Sequence, residues 1–257
     1  YLATSYWHIH FSRFGIRGVF TPLFGALGRA WPKADWAPRP LRAKTTLLAL
    51  AESGEEGYAR GLSVTLPEAR RELYSDAFAA SLGGFRAEDE LIALMRTAPG
   101  RSGLDRAQYA DLAFWMPGDI LTKVDRTSMA VSLEAREPLL DHRLVEFAAR
   151  LPERMRVRGT TGKYLLKKSL ERYLPSDILY RPKQGFVTPI AEWLRGPLAG
   201  AARGIGTSGG LAQAGFFDPK SIAAMAEAHI AGRADHSRTL WQLLMLDKSL
   251  TRLGVSA

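Results

Sequence analysis

The stretch that decides the fold reads LPERMRVRGTTGKYLLKKSLERYLPSDILYRPKQGF, from Leu151 to Phe186. Lys163 to Leu174 reads as a helix closed by Pro175, and a short capped turn follows at Ser176-Asp177. A tight loop then runs Arg181-Pro182-Lys183-Gln184-Gly185-Phe186. Two cations around one proline, followed by a glycine and an aromatic, present fixed positive charge to an anion. Phosphoryl and adenylyl chemistry need such a charge.

Outward from this stretch the punctuation stays helical. Toward the C terminus, Thr188-Pro189 opens a helix holding Trp193 and Leu194, and Gly196-Pro197 closes it. Residues 199–213 are rich in Gly, Ala and Ser and are expected to form a flexible loop. Asp218-Pro219 starts a helix to Ala231 that Gly232 stops. A last helix, Ser237 to Leu253, is apolar at Leu240, Trp241, Leu243, Leu244, Leu246 and Leu250.

Toward the N terminus, Asp141 is expected to cap a helix with Leu144, Val145, Phe147, Ala148 and Leu151 on its inner side. Pro138 ends the region before it. Asp119 is expected to cap a helix striped by Ile120, Leu121, Val124, Ala130 and Val131. A helix from Asp105 to Met116 is expected to stop at Pro117-Gly118. Gly100 to Gly103 reads as a loop, and Ala87 to Arg96 as a helix. Helical pattern from Arg42 to Ala98 is broken at Gly54, Gly61, Pro67 and Gly83-Gly84. Residues 32–40 form a proline-rich connector, and residues 1–31 read as two helices, the second starting at Thr21-Pro22. Leu62 to Leu66 is the one weak strand candidate. The fold expected is mainly α, with roughly ten helices and no repeat of fixed period.

The totals narrow the chemistry. The 257 residues suit one large domain or two small ones, and no apolar run approaches the length of a membrane span. A cytoplasmic protein is the default. The absence of cysteine excludes disulfides, thiolate metal sites and a cysteine nucleophile within this chain. His8 and His10 are two apart and fall on different helix faces, so no metal site held by side chains is expected. A net charge of +9 favours anionic small molecules or polyanions. The cations are not clustered on one helix with interleaved aromatics, so no specific nucleic-acid partner is expected.

Two glycine-rich signals fail on inspection. Gly159-Thr160-Thr161-Gly162-Lys163 resembles the end of a P-loop, but Val157 stands where the first glycine belongs and Tyr164 where Ser or Thr should follow. Ser208-Gly209-Gly210-Leu211 resembles a pyrophosphate loop, but Ala212 and Gln213 replace its Asp and Ser, so a glycine-rich linker is the better reading. One charged constellation remains: Asp119, Asp125, Arg126, Glu134, Arg136, Asp141 and His142. It lies in a segment apolar enough to be buried, where charges need partners. Salt bridges and caps tying two helices together explain it as well as a site does.

Three motifs carry a family resemblance: Lys-Val-Asp-Arg at 123–126, Ser-Leu-Glu-Ala-Arg-x-Pro-Leu-Leu-Asp-His-Arg at 132–143, and Arg-Pro-Lys-x-Gly-Phe at 181–186. Together, residues 117–198 resemble the C-terminal part of the synthetase domain of glutamine-dependent asparagine synthetases. Upstream, Pro32-Lys33-Ala34-Asp35-Trp36 and Leu41-Arg42-Ala43-Lys44-Thr45-Thr46-Leu47 are similar to the exosortase-associated amidotransferases, a bacterial branch linked to exopolysaccharide loci.

The resemblance implies a multi-helix C-terminal subdomain of an α/β adenine-nucleotide-α-hydrolase-like synthetase domain. The parallel sheet and pyrophosphate loop of that domain are absent from this chain. Residues 1–257 are then a single helical part, with a best-matching core at 117–198. It further implies an enzyme that uses ATP and Mg²⁺ to adenylate a carboxylate, aspartate in asparagine synthetases. Ammonia released from glutamine by a separate glutaminase domain then displaces AMP. Relatives close β-lactams or amidate other carboxylates, and a non-catalytic helical interaction module is the reading from another class.

Tyr1 falls where the resemblance would place the exit from the sheet-bearing half, so the chain is expected to be part of a longer protein, inactive and without ATP or Mg²⁺ when alone. Its expected partners are the remaining half of the synthetase domain, the glutaminase domain and small-molecule substrates. Exposed apolar surface is expected where the sheet would dock, and a homodimer is one assembly such a surface permits.

Residue by residue, Lys183 matches the family's active-site lysine, with Arg181 and Gly185 in the same loop. Lys123, Asp125, Arg126, Glu134 and Arg136 match motif positions expected to support the pocket. Asp119 matches the second acid of a Pro-Asp-Asp segment whose first acid is Gly118 here, so it either serves the pocket or caps a helix.

Overall fold

The computed structural model describes residues 17–31, 47–48, 51–100, 102–159, 161–182 and 188–254. The first of the two helices expected within residues 1–31 and the connector 32–40 lie outside them. The single helical part expected over 1–257 divides into two compact units. One takes Tyr1–Lys33, Arg42–Gly61 and Glu90–Gly185, the other Ala34–Leu41, Leu62–Asp89 and Phe186–Ala257. Both are mainly helical among the described residues.

In the first unit, capping chemistry sets where helices begin. Ser53 and Glu56 form a reciprocal box, each side chain accepting the other's backbone N–H at 3.1 Å. The helix Gly54–Leu62 therefore starts at a glycine expected to break it, and Gly61 lies inside. Ser102 and Asp105 repeat the box for the helix Gly103–Ala110. Tyr58, Ala59, Leu91, Ile92, Met95, Leu104, Ala107 and Ala110 are the buried apolar residues here. The helix Arg17–Ala30 carries Pro22 in its interior and not in its first turn, at the loss of one backbone hydrogen bond.

Pro117-Gly118 does not stop the chain's helical path. Asp111–Leu121 is an eleven-residue π-helix that contains both residues, and it runs on into the α-helix Thr122–Met129. A π-helix bonds each N–H to the carbonyl five residues back, so its wider turn relieves the clash between a proline ring and the carbonyl four back. The Thr122 hydroxyl donates to the Pro117 carbonyl and satisfies it.

The helix Thr122–Met129 closes through Ser132, which holds φ 59. The Ser132 N–H bonds the Met129 carbonyl and the Leu133 N–H bonds that of Ser128, both at 3.0 Å. This is the closure that glycine usually makes. Asp141 then caps the helix His142–Arg150, accepting from the Arg143 and Leu144 N–H groups. The inner face expected for that helix is only half formed: Val145, Ala148 and Leu151 are half-buried, while Leu144 and Phe147 are exposed.

The decisive stretch folds as a short helix Glu153–Arg156, a two-residue antiparallel pair, and the helices Tyr164–Leu170 and Ser176–Leu179. The pair aligns Val157 with Gly162 and Arg158 with Thr161 around Gly159, at φ 57. The segment that imitates a P-loop is thus a hairpin. No strand forms at Leu62 to Leu66.

The second unit is organised around the seventeen-residue helix Ser237–Leu253. Its Leu240, Leu243 and Leu244 join Leu73, Leu194, Ala202, Ile205, Leu211, Ile222 and Ala226 in one core. Asp218 caps the helix Pro219–Ile230 as its sequence predicts. Residues 199–213 are no flexible loop: helices Ala199–Gly204 and Gly210–Ala214 form there, and Ala202, Ile205 and Leu211 are buried. The small residues serve close packing. A Cβ on Gly210 would lie 2.4 Å from the Thr251 nitrogen, a contact only glycine avoids.

Candidate functional site

The described residues marked by the motifs all belong to the first unit and lie between the π-helix and Pro182 in the chain. Asp119 is exposed within the π-helix. It caps nothing: the helix Thr122–Met129 follows without a break and has no side-chain cap. Lys123, Asp125 and Arg126 are exposed on that helix, Glu134 and Arg136 are exposed beyond Ser132, and Arg181 is exposed beside Pro182. Lys183 and Gly185 lie outside the described residues.

The burial expected for this constellation does not occur. Val131, Leu133 and Leu139, apolar residues of the same segment, are themselves more than half exposed, at 75%, 62% and 62%. The charges therefore stay hydrated and need no compensation within the unit. Glu134 and Arg136 pair at 3.0 Å with side chains 67% and 82% exposed, an ion pair that contributes little to stability. These side chains are free to meet a ligand or another surface.

Behind the exposed face are polar contacts that sequence reasoning missed. The Tyr58 hydroxyl donates to Asp111 Oδ1 at 2.5 Å. Tyr58 is wholly buried and Asp111 nearly so. Burial pushes the Asp111 carboxyl above the usual carboxylate range, and the Tyr58 hydrogen bond opposes the shift without cancelling it. One signal was available: Asp111 extends the stripe Leu104, Ala107, Ala110, an acid where a helical face is otherwise apolar. Nothing in the sequence pointed to Tyr58 as its partner.

A second network anchors the decisive stretch. Arg156, directly before the hairpin, donates to Gln108 Oε1 at 2.5 Å and to Asp105. Burial raises the Asp105 carboxyl, but its hydrogen bonds from Arg156 and the Ser102 N–H and the Arg156 charge outweigh this and hold it low. Arg106 pairs with Glu55 at 2.7 Å. These contacts tie the helices Gly54–Leu62 and Glu153–Arg156 to Gly103–Ala110.

Among the described residues no three His, Asp or Glu side chains gather as a metal site needs. No described helix is long and apolar enough to cross a membrane.

A putative glutamine-hydrolysing asparagine synthetase of Mycobacterium tuberculosis (strain ATCC 25618 / H37Rv) is 37% identical over 229 residues, covering 82% of this chain and 34% of its own length. Asparagine synthetase [glutamine-hydrolyzing] 1 of Bacillus subtilis (strain 168) is 37% identical over 145 residues, 56% of this chain and 22% of its own length. Asparagine synthetase [glutamine-hydrolyzing] of Gallus gallus is 43% identical over 77 residues, 29% of this chain and 14% of its own. The chain thus spans about a third or less of these relatives. No solved structure matches it significantly. The asparagine synthase family model matches residues 21–251, nearly the whole chain, and the protein belongs to that family.

Proposed function

We propose that this chain is the helical part of an ATP-dependent amide ligase that adenylates a carboxylate, aspartate in the first instance, and aminates it with ammonia drawn from glutamine. One observation supports this most directly. The motif residues Asp119, Lys123, Asp125, Arg126, Glu134, Arg136 and Arg181 are all exposed, and the fold does not use them as buried ties. Charges that stability does not require are available for substrate or for the surface that completes the pocket.

In this reading Lys183 is the catalytic residue. Its ammonium stabilises negative charge on phosphorus and pyrophosphate during adenylation, and on the tetrahedral intermediate during amination. Arg181 and Gly185 belong to the same motif and are proposed to support the pocket. Asp119, Lys123, Asp125, Arg126, Glu134 and Arg136 support the pocket wall. ATP supplies the activation of the carboxylate. Mg²⁺ would enter with the ATP phosphates, and among the described residues no three His, Asp or Glu side chains gather to hold it.

The partner proposed for the exposed apolar residues Val131, Leu133, Leu139, Phe147 and Tyr173 is the remainder of the same protein. The exopolysaccharide-linked branch rests on Pro32 to Trp36 and Leu41 to Leu47, and it would change the acceptor and not the chemistry.

The deciding experiment measures AMP formation from ATP by the intact protein, with ammonium and either aspartate or a panel of other carboxylates. AMP that depends on aspartate establishes an asparagine-forming enzyme. AMP with another acid keeps the mechanism and moves the substrate. No AMP with any carboxylate rejects the ligase reading.

A further inference from the structure

Tyr58 and Asp111 belong to none of the motifs, yet they form a buried contact across 53 residues of sequence. Packing alone gives no reason for a carboxylate at that position. A well-packed apolar pair avoids the desolvation cost and is often at least as stable. What a buried hydrogen bond adds to an apolar contact is direction, because it admits one geometry.

Asp111 is the first residue of the π-helix, and its N–H still closes the last turn of the preceding helix. At this residue the bonding changes from four-residue to five-residue steps. Whether the chain winds as a π-helix or an α-helix from here sets the angular position of every side chain downstream. Asp119 sits within that winding, and Lys123 and Arg126 follow on the uninterrupted helix Thr122–Met129.

We infer that the Tyr58–Asp111 hydrogen bond is a positioning device. It pins the first turn of the π-helix, and through that register it aims Asp119, Lys123 and Arg126 toward the proposed pocket. The inference rests on the ligase reading for what those side chains are aimed at. The pinning itself concerns this chain alone.

The test uses the intact protein with two variants, Tyr58→Phe and the double variant Tyr58→Phe/Asp111→Leu. The double variant replaces the polar pair by an apolar one of similar size and restores stability without restoring direction. Amide hydrogen exchange over residues 111–126 and the kinetics of amide formation are both read. For each variant we expect exchange in 111–126 to rise at least about tenfold above that of wild type. We expect kcat to fall roughly tenfold with KM for ATP within about twofold, the split that marks lost alignment and not lost binding. A double variant with wild-type exchange or wild-type kcat overturns the inference and leaves a core contact only. If wild type forms no amide from any carboxylate, the ligase reading fails instead, and the exchange measurement alone decides whether the hydrogen bond pins the π-helix.

Discussion

Asp247, in the middle of the helix Ser237–Leu253, accepts a hydrogen bond from the Leu211 backbone N–H at 3.0 Å. It thereby caps a helix that is not its own. Gly209, the cap residue of the helix Gly210–Ala214, has no side chain to offer. Thr251, one turn further on, takes the Gly210 N–H at 2.8 Å. Gly210 lets the two backbones approach this closely, and Gly209, at φ 91, holds a left-handed conformation beside the Asp247 carboxylate.

Gly210→Ala is expected to destabilise the protein by about 2–4 kcal/mol, because backbone atoms of the neighbouring helix have to move. Gly200→Ala, where an added Cβ meets nothing within 4 Å, is the control. It should be neutral or stabilising by roughly 0.5–1 kcal/mol, the usual gain of alanine over glycine in a helix. Denaturant midpoints of the two variants separate a packing glycine from a linker glycine, since a flexible linker tolerates both.

Ser132→Gly is expected to stabilise the fold by about 0.5 kcal/mol. The left-handed conformation costs serine roughly 1 kcal/mol, and the greater freedom of glycine in the unfolded chain offsets part of the gain. A lower melting temperature in this variant contradicts the geometry described for residues 128–133.

Two buried carboxylates are expected to give opposite pH signatures. Burial raises Glu88, but the Arg70 guanidinium, whose Nη2 lies 2.6 Å from both of its oxygens, outweighs this together with a backbone N–H and the Ser63 hydroxyl. The folded-state pKa is therefore lowered. The stability that Glu88 contributes is present above the ordinary glutamate value of about 4.3 and is lost as pH falls through the lowered folded value. Glu88→Gln should cost about 2–4 kcal/mol at neutral pH, because it leaves Arg70 without its charge partner, and should flatten the acid limb of a stability–pH curve.

Asp111 has the other sign. Its folded-state pKa is raised, so its contribution is fully present below the ordinary aspartate value of about 3.9 and is lost as pH rises through the raised folded value. Asp111→Asn keeps an acceptor for Tyr58 and removes this loss. The variant is expected to gain stability relative to wild type as pH climbs from that range, and thermal melts across pH measure the difference.

Lys183→Ala in the intact protein is expected to reduce amide synthesis about a hundredfold or more, on the order of 3 kcal/mol in the barrier, with the melting temperature unchanged. Near-normal turnover in that variant removes Lys183 from the chemistry.

Helix starts with polar caps were legible because a cap is a local contract: Asp141 and Asp218 each meet a backbone N–H two or three residues on. The corrections fall where winding and burial, and not residue type, decide. Pro117 reads as a stop, yet the chain winds through it as a π-helix. Residues 199–213 read as a linker, yet Ala202, Ile205 and Leu211 fill the core of the second unit. The charges from Asp119 to Arg136 read as buried because their apolar neighbours are numerous, but composition does not say whether a neighbour faces inward.

The sequence by itself determined the family and the helical class and marked the residues proposed to carry the chemistry, because motif identity and helical spacing are properties of neighbours along the chain. The tertiary structure decided which distant groups pair. Tyr58 with Asp111, Arg156 with Asp105 and Asp247 with Leu211 are partnerships across dozens of residues. A hydrogen bond needs its donor and acceptor within about 3 Å and aligned, and only the folded backbone brings such distant groups to that separation.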